Sequence, residues 1–168
     1  MARRIRSAIG AGLILLPTVS VGQDLTRVDH SWSRYRNGRF GTLADVPRIF
    51  TIAEPQPANG DGQTFRSADG AELRVFGSHG ATTVAENFAA YRNWLLDRLR
   101  EDGVTITYKA KGKEWFAASG TRDRDIVYVK AIEDCGAIHE IRVTYPVALR
   151  QAYDPLMGHM ARSLGCLP

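Results

Sequence analysis

The 168-residue sequence contains few of the residues and motifs that mark common kinds of functional site. Its two cysteines and four histidines are too few for a disulfide-rich scaffold or a cysteine-rich zinc module. No phosphate-binding glycine loop, HExxH zinc motif or GxSxG nucleophile motif occurs in it. A continuous apolar run of ~20 residues, which a membrane-spanning helix needs, is also missing. With no complete catalytic or metal-binding motif, we expect no catalytic residue, no metal and no cofactor.

The first 22 residues have the layout of a secretory signal peptide. Three arginines precede an apolar run at residues 8–16, and small residues at positions 20 and 22 suit cleavage before Gln23. A membrane anchor is the alternative, but the run is short and Pro17 interrupts it. No cysteine follows the run, so lipid attachment there is not expected. The sequence therefore predicts a periplasmic or secreted protein with no transmembrane segment in its mature chain.

The net charge of the protein depends on this segment. The whole chain has 22 Lys and Arg residues and 18 Asp and Glu residues, a net charge of +4. Residues 1–22 hold three arginines and no acidic residue, so their removal leaves 19 basic and 18 acidic residues, a net charge of +1. A nearly neutral chain gives little support for nucleic-acid binding. We therefore expect no nucleic-acid partner.

The remaining residues divide into a flexible polar lead-in, 23–33, and a single α+β domain, 34–168. Within the domain, residues 84–99 have helical periodicity, with Thr83 and Glu86 as a capping box and Gly103 as the stop. Shorter strand-like segments precede this helix, and four strand-like segments and a second helix, 148–164, follow it. Runs of consecutive strands are typical of antiparallel pairing. The sequence predicts an antiparallel β-sheet with helices packed on it.

Two of the strand-like segments differ in their predicted burial. Residues 125–132 are apolar on both faces apart from Lys130, which predicts a central strand covered on both sides. Residues 137–145 alternate apolar and polar, which predicts a half-buried strand. Residues 104–112 also alternate, with Ile106 and Tyr108 on one face and the lysines at 109 and 111 on the other.

Cys135 and Cys166 are predicted to form a disulfide bond. An even number of cysteines in an exported chain favours pairing. The strand that follows Cys135 rises ~30 Å, and the last helix returns ~25 Å, so both cysteines finish at one end of the domain. Two free thiols are the alternative. A Cys135/His139 dyad is excluded because strand positions four apart lie ~13 Å from each other.

The stretch from Asn59 to Gly62, NGDG, is similar in composition to a calcium-binding loop. With Gly62 at position 6 of an EF-hand loop, position 1 is Pro57 and position 12 is Ala68, so two essential oxygen ligands are missing. The predicted structure is instead a turn, in which glycines supply unusual φ angles and Asn59 and Asp61 bond the nearby backbone.

Several short motifs occur together along most of the mature chain. They are YRNGRFG (35–41), Pro47, NGDG (59–62), ADGAELRVFG (68–77), WFAASG (115–120), TYP (144–146) and Tyr153. This set resembles a group of uncharacterised exported proteins of Gram-negative bacteria and, more distantly, the PsbP-like fold. The resemblance implies an α/β/α sandwich, an antiparallel sheet between helices, and it supplies no catalytic residues.

The candidate site is a set of interleaved aromatic and basic residues near the start of the domain: Trp32, Arg34, Tyr35, Arg36 and Arg39. Such a mixture can bind single-stranded nucleic acid, a partner that an exported protein is not expected to meet. It can also contact a protein or an anionic envelope component, since arginine and aromatic residues are enriched at interfaces. The plain alternative is a strand ending in an Asn37-Gly38 turn.

The histidines offer weaker candidates. His139 is expected to be a satisfied core residue, and His159 is expected to be exposed. His79 lies in a loop before a helix, where free backbone N–H groups could bind an anion. The leading hypothesis is a non-enzymatic periplasmic binding or assembly module that contacts a protein or envelope partner. The alternative is a small-molecule-binding protein or enzyme with a pocket between sheet and helix, near His79 or His139.

Overall fold

The computed structural model describes residues 22–79 and 84–168. The predicted signal peptide lies, apart from residue 22, outside the described residues, as does the predicted helix cap Thr83. Six strands come first: β1 (Gln23–Arg27), β2 (Trp32–Asn37), β3 (Thr42–Pro47), β4 (Ile52–Ala53), β5 (Gly62–Arg66) and β6 (Glu72–Ser78). Helix α1 (Phe88–Glu101), strands β7 (Thr105–Lys111), β8 (Trp115–Arg122), β9 (Asp125–Asp134) and β10 (Ala137–Pro146), a 3₁₀ turn (Val147–Leu149), helix α2 (Arg150–Ser163) and β11 (Gly165–Cys166) follow.

The strands form two antiparallel sheets. A seven-stranded sheet has the order β4-β5-β6-β10-β9-β8-β7, and a four-stranded sheet has the order β1-β2-β3-β11. Helix α1 packs on one face of the large sheet, against β8, β9 and β10. The small sheet and α2 pack on its other face. The predicted α+β architecture, an antiparallel sheet between helices, is confirmed.

Strand β9 has the burial pattern that its sequence predicts. Ile126 and Tyr128 face the small sheet and α2, whereas Val127 and Val129 face α1. Its neighbour β10 differs from the prediction, because residues 137–141 are buried on both faces rather than one. The reason is that α1 covers one face of this part of β10 and α2 with the small sheet covers the other, so Glu140, a polar residue of the predicted outer face, lies inside the protein.

Helix α1 begins later than its sequence pattern suggests. Asn87 is the N-cap, and its side chain accepts a hydrogen bond from the backbone N–H of Ala90 at 3.0 Å. Glu86 therefore precedes the helix, and Val84, expected on the buried stripe, is exposed. The rest of the predicted stripe is confirmed, since Phe88, Tyr91, Leu95 and Leu99 are buried.

Residues 23–33, predicted as a flexible lead-in, contain β1 and the first residues of β2. Gln23 pairs with Asn37 and Arg27 pairs with Ser33 in the antiparallel register. The backbone of this polar segment is therefore bonded at the edge of the small sheet. Its side chains are largely exposed, because only the strand edge and not a core face holds β1 in place.

The Cys135–Cys166 disulfide is present and connects the two sheets. Cys135 lies at φ 48° in the two-residue turn between β9 and β10, followed by Gly136 at φ 73°. Cys166 is on β11, paired with Thr42 of β3. The Cα atoms of the two cysteines are 6.2 Å apart. The covalent bond thus joins the tip of a hairpin in the large sheet to an edge strand of the small one.

Candidate functional site

Strand β2 carries most of the predicted partner-binding patch, but its alternation divides the residues between two faces. Trp32, Arg34 and Arg36 lie on the outer face and are partly exposed. Tyr35 points the other way and is 2% exposed in the core, where its hydroxyl donates to Gln23 Oε1 at 2.9 Å. Burial raises the pKa of Tyr35 to about 12. Tyr35 therefore cannot contact a partner, and we exclude it from the patch.

Arg39 is also separated from the outer face of β2. It lies in the turn between β2 and β3, where its guanidinium is 5.0 Å from the centre of the Phe40 ring. The predicted turn is present: the Asn37 side-chain oxygen accepts from the backbone N–H of Arg39 at 2.9 Å and of Phe40 at 3.2 Å. Arg39 thus lies beyond the end of β2 and takes no part in the alternation that aligns Trp32, Arg34 and Arg36 on one face.

A buried aspartate organises the outer face of β2. Arg34 donates to both carboxylate oxygens of Asp45, at 2.8 and 3.1 Å, and His159 Nε2 lies 2.8 Å from the second of these oxygens. Burial by itself would raise the pKa of Asp45, but the hydrogen bonds from Arg34 and His159 outweigh it and the pKa is lowered. Asp45 therefore stays ionised and fixes both of its partners.

Trp32 completes this arrangement by stacking on His159. The two ring centres are 3.9 Å apart and the planes are inclined by 14°. His159, expected to be exposed, is in fact held between Trp32 and Asp45 with 42% of its side chain exposed. The periodicity of α2 could not predict this stack, because Trp32 lies on β2, far from α2 in the sequence. We call Trp32, Arg34, Arg36 and His159 the Trp32 face.

The other histidines occupy different positions. His139 is fully buried, with Nδ1 2.9 Å from Thr42 Oγ1 and Nε2 3.1 Å from the carbonyl oxygen of Asp134. These contacts fit a neutral ring that donates from Nε2 and accepts at Nδ1, as expected for a core histidine. His79 contacts Phe40 and lies 3.2 Å from the carbonyl oxygen of Gly136. The rest of its predicted anion loop, residues 80–83, lies outside the described residues.

The buried state of His139 makes stability depend on pH. Burial lowers its pKa, while the Asp134 contacts act in the opposite direction without cancelling the effect. Below its unfolded pKa of ~6.5, the unfolded chain takes up a proton at this position more readily than the folded chain. As the pH falls below this value, the free energy of unfolding should decrease by at most ~1.4 kcal/mol per pH unit. Urea unfolding at pH 7.0, 6.0 and 5.0 should show a steeper loss for the native protein than for His139→Gln, and equal slopes would contradict this account.

A second buried group lies on the opposite face of β10. Glu140 is fully buried. Its carboxylate accepts one hydrogen bond from the Tyr91 hydroxyl at 3.0 Å and another from Arg142 Nη2 at 2.9 Å. Burial raises the pKa of Glu140 although both contacts act to lower it. Beside Arg142 lies a cavity of about 210 Å³ that Arg74 and Phe76 also line. The strand pattern in the sequence contained Glu140 but assigned it to an exposed face.

The NGDG stretch forms a turn that docks on β2. Gly60 has φ 60°, and Asn59 donates to Asp61 at 2.9 Å. The Asn37 side chain donates to the carbonyl oxygen of Gly60 at 3.0 Å. Gly62 does not supply an unusual φ angle, as was expected. A Cβ there would lie 2.3 Å from the carbonyl oxygen of Val75, so glycine permits the two backbones to pack closely.

Among residues 22–79 and 84–168, no three potential ligands are grouped to hold a metal ion.

A further cavity lies between α1 and the β7–β8 hairpin. Its volume is about 320 Å³. The residues that line it are Arg92, Asn93, Leu96, Lys109, Ala110, Lys111, Phe116 and Ala117. This cavity lies between helix and sheet, as the alternative hypothesis requires, but neither His79 nor His139 lines it.

No family model matches the sequence, and no curated protein matches it. Two solved structures are similar in fold. One is the cyanobacterial PsbP (CyanoP) of Synechocystis, with 15% identity, a TM-score of 0.58 and coverage of 90% of this chain and 98% of that one. The other is the Ran-binding protein Mog1p of Saccharomyces cerevisiae, with 12% identity, a TM-score of 0.53 and coverage of 88% and 97%. At these identities the likeness concerns fold alone, and the chain has a PsbP-like α+β fold.

Proposed function

We propose that this chain is a non-enzymatic, exported binding module that contacts a protein of the cell envelope through the Trp32 face. The observation that carries the proposal is the fixed geometry of that face: Trp32 stacks on His159, and Asp45 holds both His159 and Arg34. Tryptophan and arginine are the residue types that most often dominate binding energy at interfaces. Side chains already held in place lose less conformational entropy when a partner binds.

Arg36 carries the charge of this face that is least engaged within the protein. Its side chain is 40% exposed, donates to Thr26 at 2.8 Å, and has an acidic neighbour, Asp24, only at 3.9 Å. An exposed pair at that separation contributes little, so the guanidinium can form a stronger pair with a partner carboxylate. We infer that the partner presents an acidic group beside a surface that accepts the Trp32 ring.

Export is the second part of the proposal. It rests on the layout of residues 1–22 and is supported by the disulfide, since such bonds persist in oxidising compartments. Within the described ranges, neither helix is long and apolar enough to cross a bilayer. Among proteins of similar fold, Mog1p is described as Ran-binding, an example of protein binding by this architecture.

Affinity purification from the native host tests the proposal. We expect the protein to begin at Gln23 by intact mass and to recover a partner protein in stoichiometric amount. Arg36→Glu should reduce that recovery by about tenfold or more, the effect typical of a residue that dominates an interface. Arg124→Glu, the same charge change in the exposed β8–β9 turn, should leave recovery unchanged. Equal recovery with both variants, or a native chain that still begins at Met1, would contradict the proposal.

The alternative function is a small-molecule-binding protein or an enzyme. The cavity between α1 and the β7–β8 hairpin favours the binding version of this alternative, because it combines cationic and apolar lining residues. A small molecule in this cavity and a protein partner on the Trp32 face can bind at the same time.

A further inference from the structure

The cavity between α1 and the β7–β8 hairpin has an unusual charge distribution. Arg92, Lys109 and Lys111 line it, and none of its lining residues is acidic. Within the part of the chain that the structure describes, neither lysine has a carboxylate partner, and Arg92 forms only long hydrogen bonds, at 3.3 and 3.4 Å, to the Asn93 side chain. Three positive charges thus converge without compensation.

Cations close to the cavity behave differently. On α1, Arg98 pairs with Glu101 at 2.8 Å and Arg100 pairs with Asp97 at 2.6 Å. On the hairpin itself, Lys113 has Glu114 as a neighbour at 3.4 Å. These three cations are thus paired, whereas the three that line the cavity are not.

A β-bulge directs the two lysines into the cavity. Ile106 pairs with Gly120 and Tyr108 pairs with Ser119, so Thr107 is an extra residue in β7. Strict alternation, as the sequence predicts, would place Lys109 and Lys111 on the face of the sheet that Ile106 does not share. The extra residue reverses the alternation, and both lysines share the α1 side of the sheet with Ile106. Bulges re-aim side chains in this way and are frequent beside functional sites.

The cavity also provides apolar contacts. Phe116 is 1% exposed and forms part of the core beneath α1, while Leu96 packs against the same core. Ala110 and Ala117 complete the lining through backbone atoms, because strand alternation turns their methyl groups to the other face of the sheet. Apolar walls with a few convergent polar groups are typical of small-molecule sites, and the volume lies at the small end of their range.

We propose that this cavity binds a small organic anion: a carboxylate, sulfonate or phosphate monoester head that the three cations hold, joined to an apolar body that rests on Leu96 and Phe116. The site is independent of the Trp32 face, which lies on the other sheet. Failure of one proposal therefore leaves the other standing.

The probe pair 1-anilinonaphthalene-8-sulfonate and N-phenyl-1-naphthylamine tests this proposal, because the two molecules differ only in the sulfonate. Fluorescence titration of the native protein should show tighter binding of the sulfonate. Backbone amide shifts in NMR spectra should change in α1 and the β7–β8 hairpin. Equal affinity for the two probes, or shifts confined to other elements, would overturn the proposal.

Matched variants assign the effect to the lysines. Lys109→Gln/Lys111→Gln should weaken sulfonate binding about tenfold, as expected for two partly exposed charge pairs, and leave the affinity for the neutral probe unchanged. Lys113→Gln, on the same hairpin but outside the cavity, should change neither affinity by more than about twofold. Because all three lysines are exposed, these substitutions leave the fold intact. Sulfonate binding that survives the double substitution would overturn the proposal.

Discussion

Loss of the Cys135–Cys166 disulfide is expected to lower the free energy of unfolding by about 3–4 kcal/mol. The two cysteines are 31 residues apart in the sequence. Closing a loop of this length lowers the entropy of the unfolded chain, and at 25 °C this corresponds to about 3–4 kcal/mol of stability. For a domain of this size, the loss corresponds to a fall of about 10 °C in Tm. Thermal and urea unfolding with and without reductant, and of Cys135→Ser/Cys166→Ser, measure the effect.

The double serine variant also serves as the control for reductant, since its unfolding should not respond to reduction. Cys135 has φ 48°, which a non-glycine residue rarely adopts. Cys135→Gly/Cys166→Ser should therefore regain part of the lost stability through a relaxed turn. Identical unfolding of oxidised and reduced native protein would contradict the stabilising role of the disulfide.

Replacement of Arg142 by methionine is expected to destabilise the protein by about 3 kcal/mol at pH 7, because it leaves the buried Glu140 carboxylate without its cationic partner. Protonation of Glu140 limits the loss. Burial already raises the pKa of Glu140, and removal of Arg142 should raise it further. The folded variant then binds this proton more tightly than the unfolded chain, so its stability falls as pH rises above the unfolded value of ~4.3.

Two measurements separate this mechanism from lost packing. The deficit of Arg142→Met relative to the native protein should be smaller at pH 5 than at pH 7, by at most ~1.4 kcal/mol per pH unit. Glu140→Gln/Arg142→Met removes both charges and keeps the Tyr91 contact, so it should recover much of the loss. A deficit that is independent of pH and persists in the double variant would show that packing alone is responsible.

The sequence predicts buried residues correctly where burial follows the regular periodicity of a single helix or strand. The apolar positions of α1, from Phe88 to Leu99, repeat at the helical period and are buried. Both faces of β9 are apolar, and both are covered. The disulfide could also be predicted, because strand and helix lengths return Cys166 to the level of Cys135. In each case the geometry of the backbone repeats regularly along the chain.

The candidate site could be predicted only in part. The sequence identified Trp32, Arg34 and Arg36, but it also included Tyr35, which strand alternation turns inward. It missed His159, because the stack on Trp32 joins residues from opposite ends of the chain. The PsbP-like fold was expected from short motifs, whereas the resemblance to exported Gram-negative proteins and the signal peptide stay predictions.

From the sequence alone follow the order of the main strands and helices, the inner face of α1, the covered position of β9 and the pairing of the cysteines. Tertiary structure alone decided that β10 is covered twice, that Asp45 and His159 meet, and that Lys109 and Lys111 enter a cavity. The physical reason is that periodicity reports burial only while each residue advances the backbone by the same step. One extra residue, Thr107, reverses a strand's faces, and contacts between distant elements leave no periodic trace in the chain.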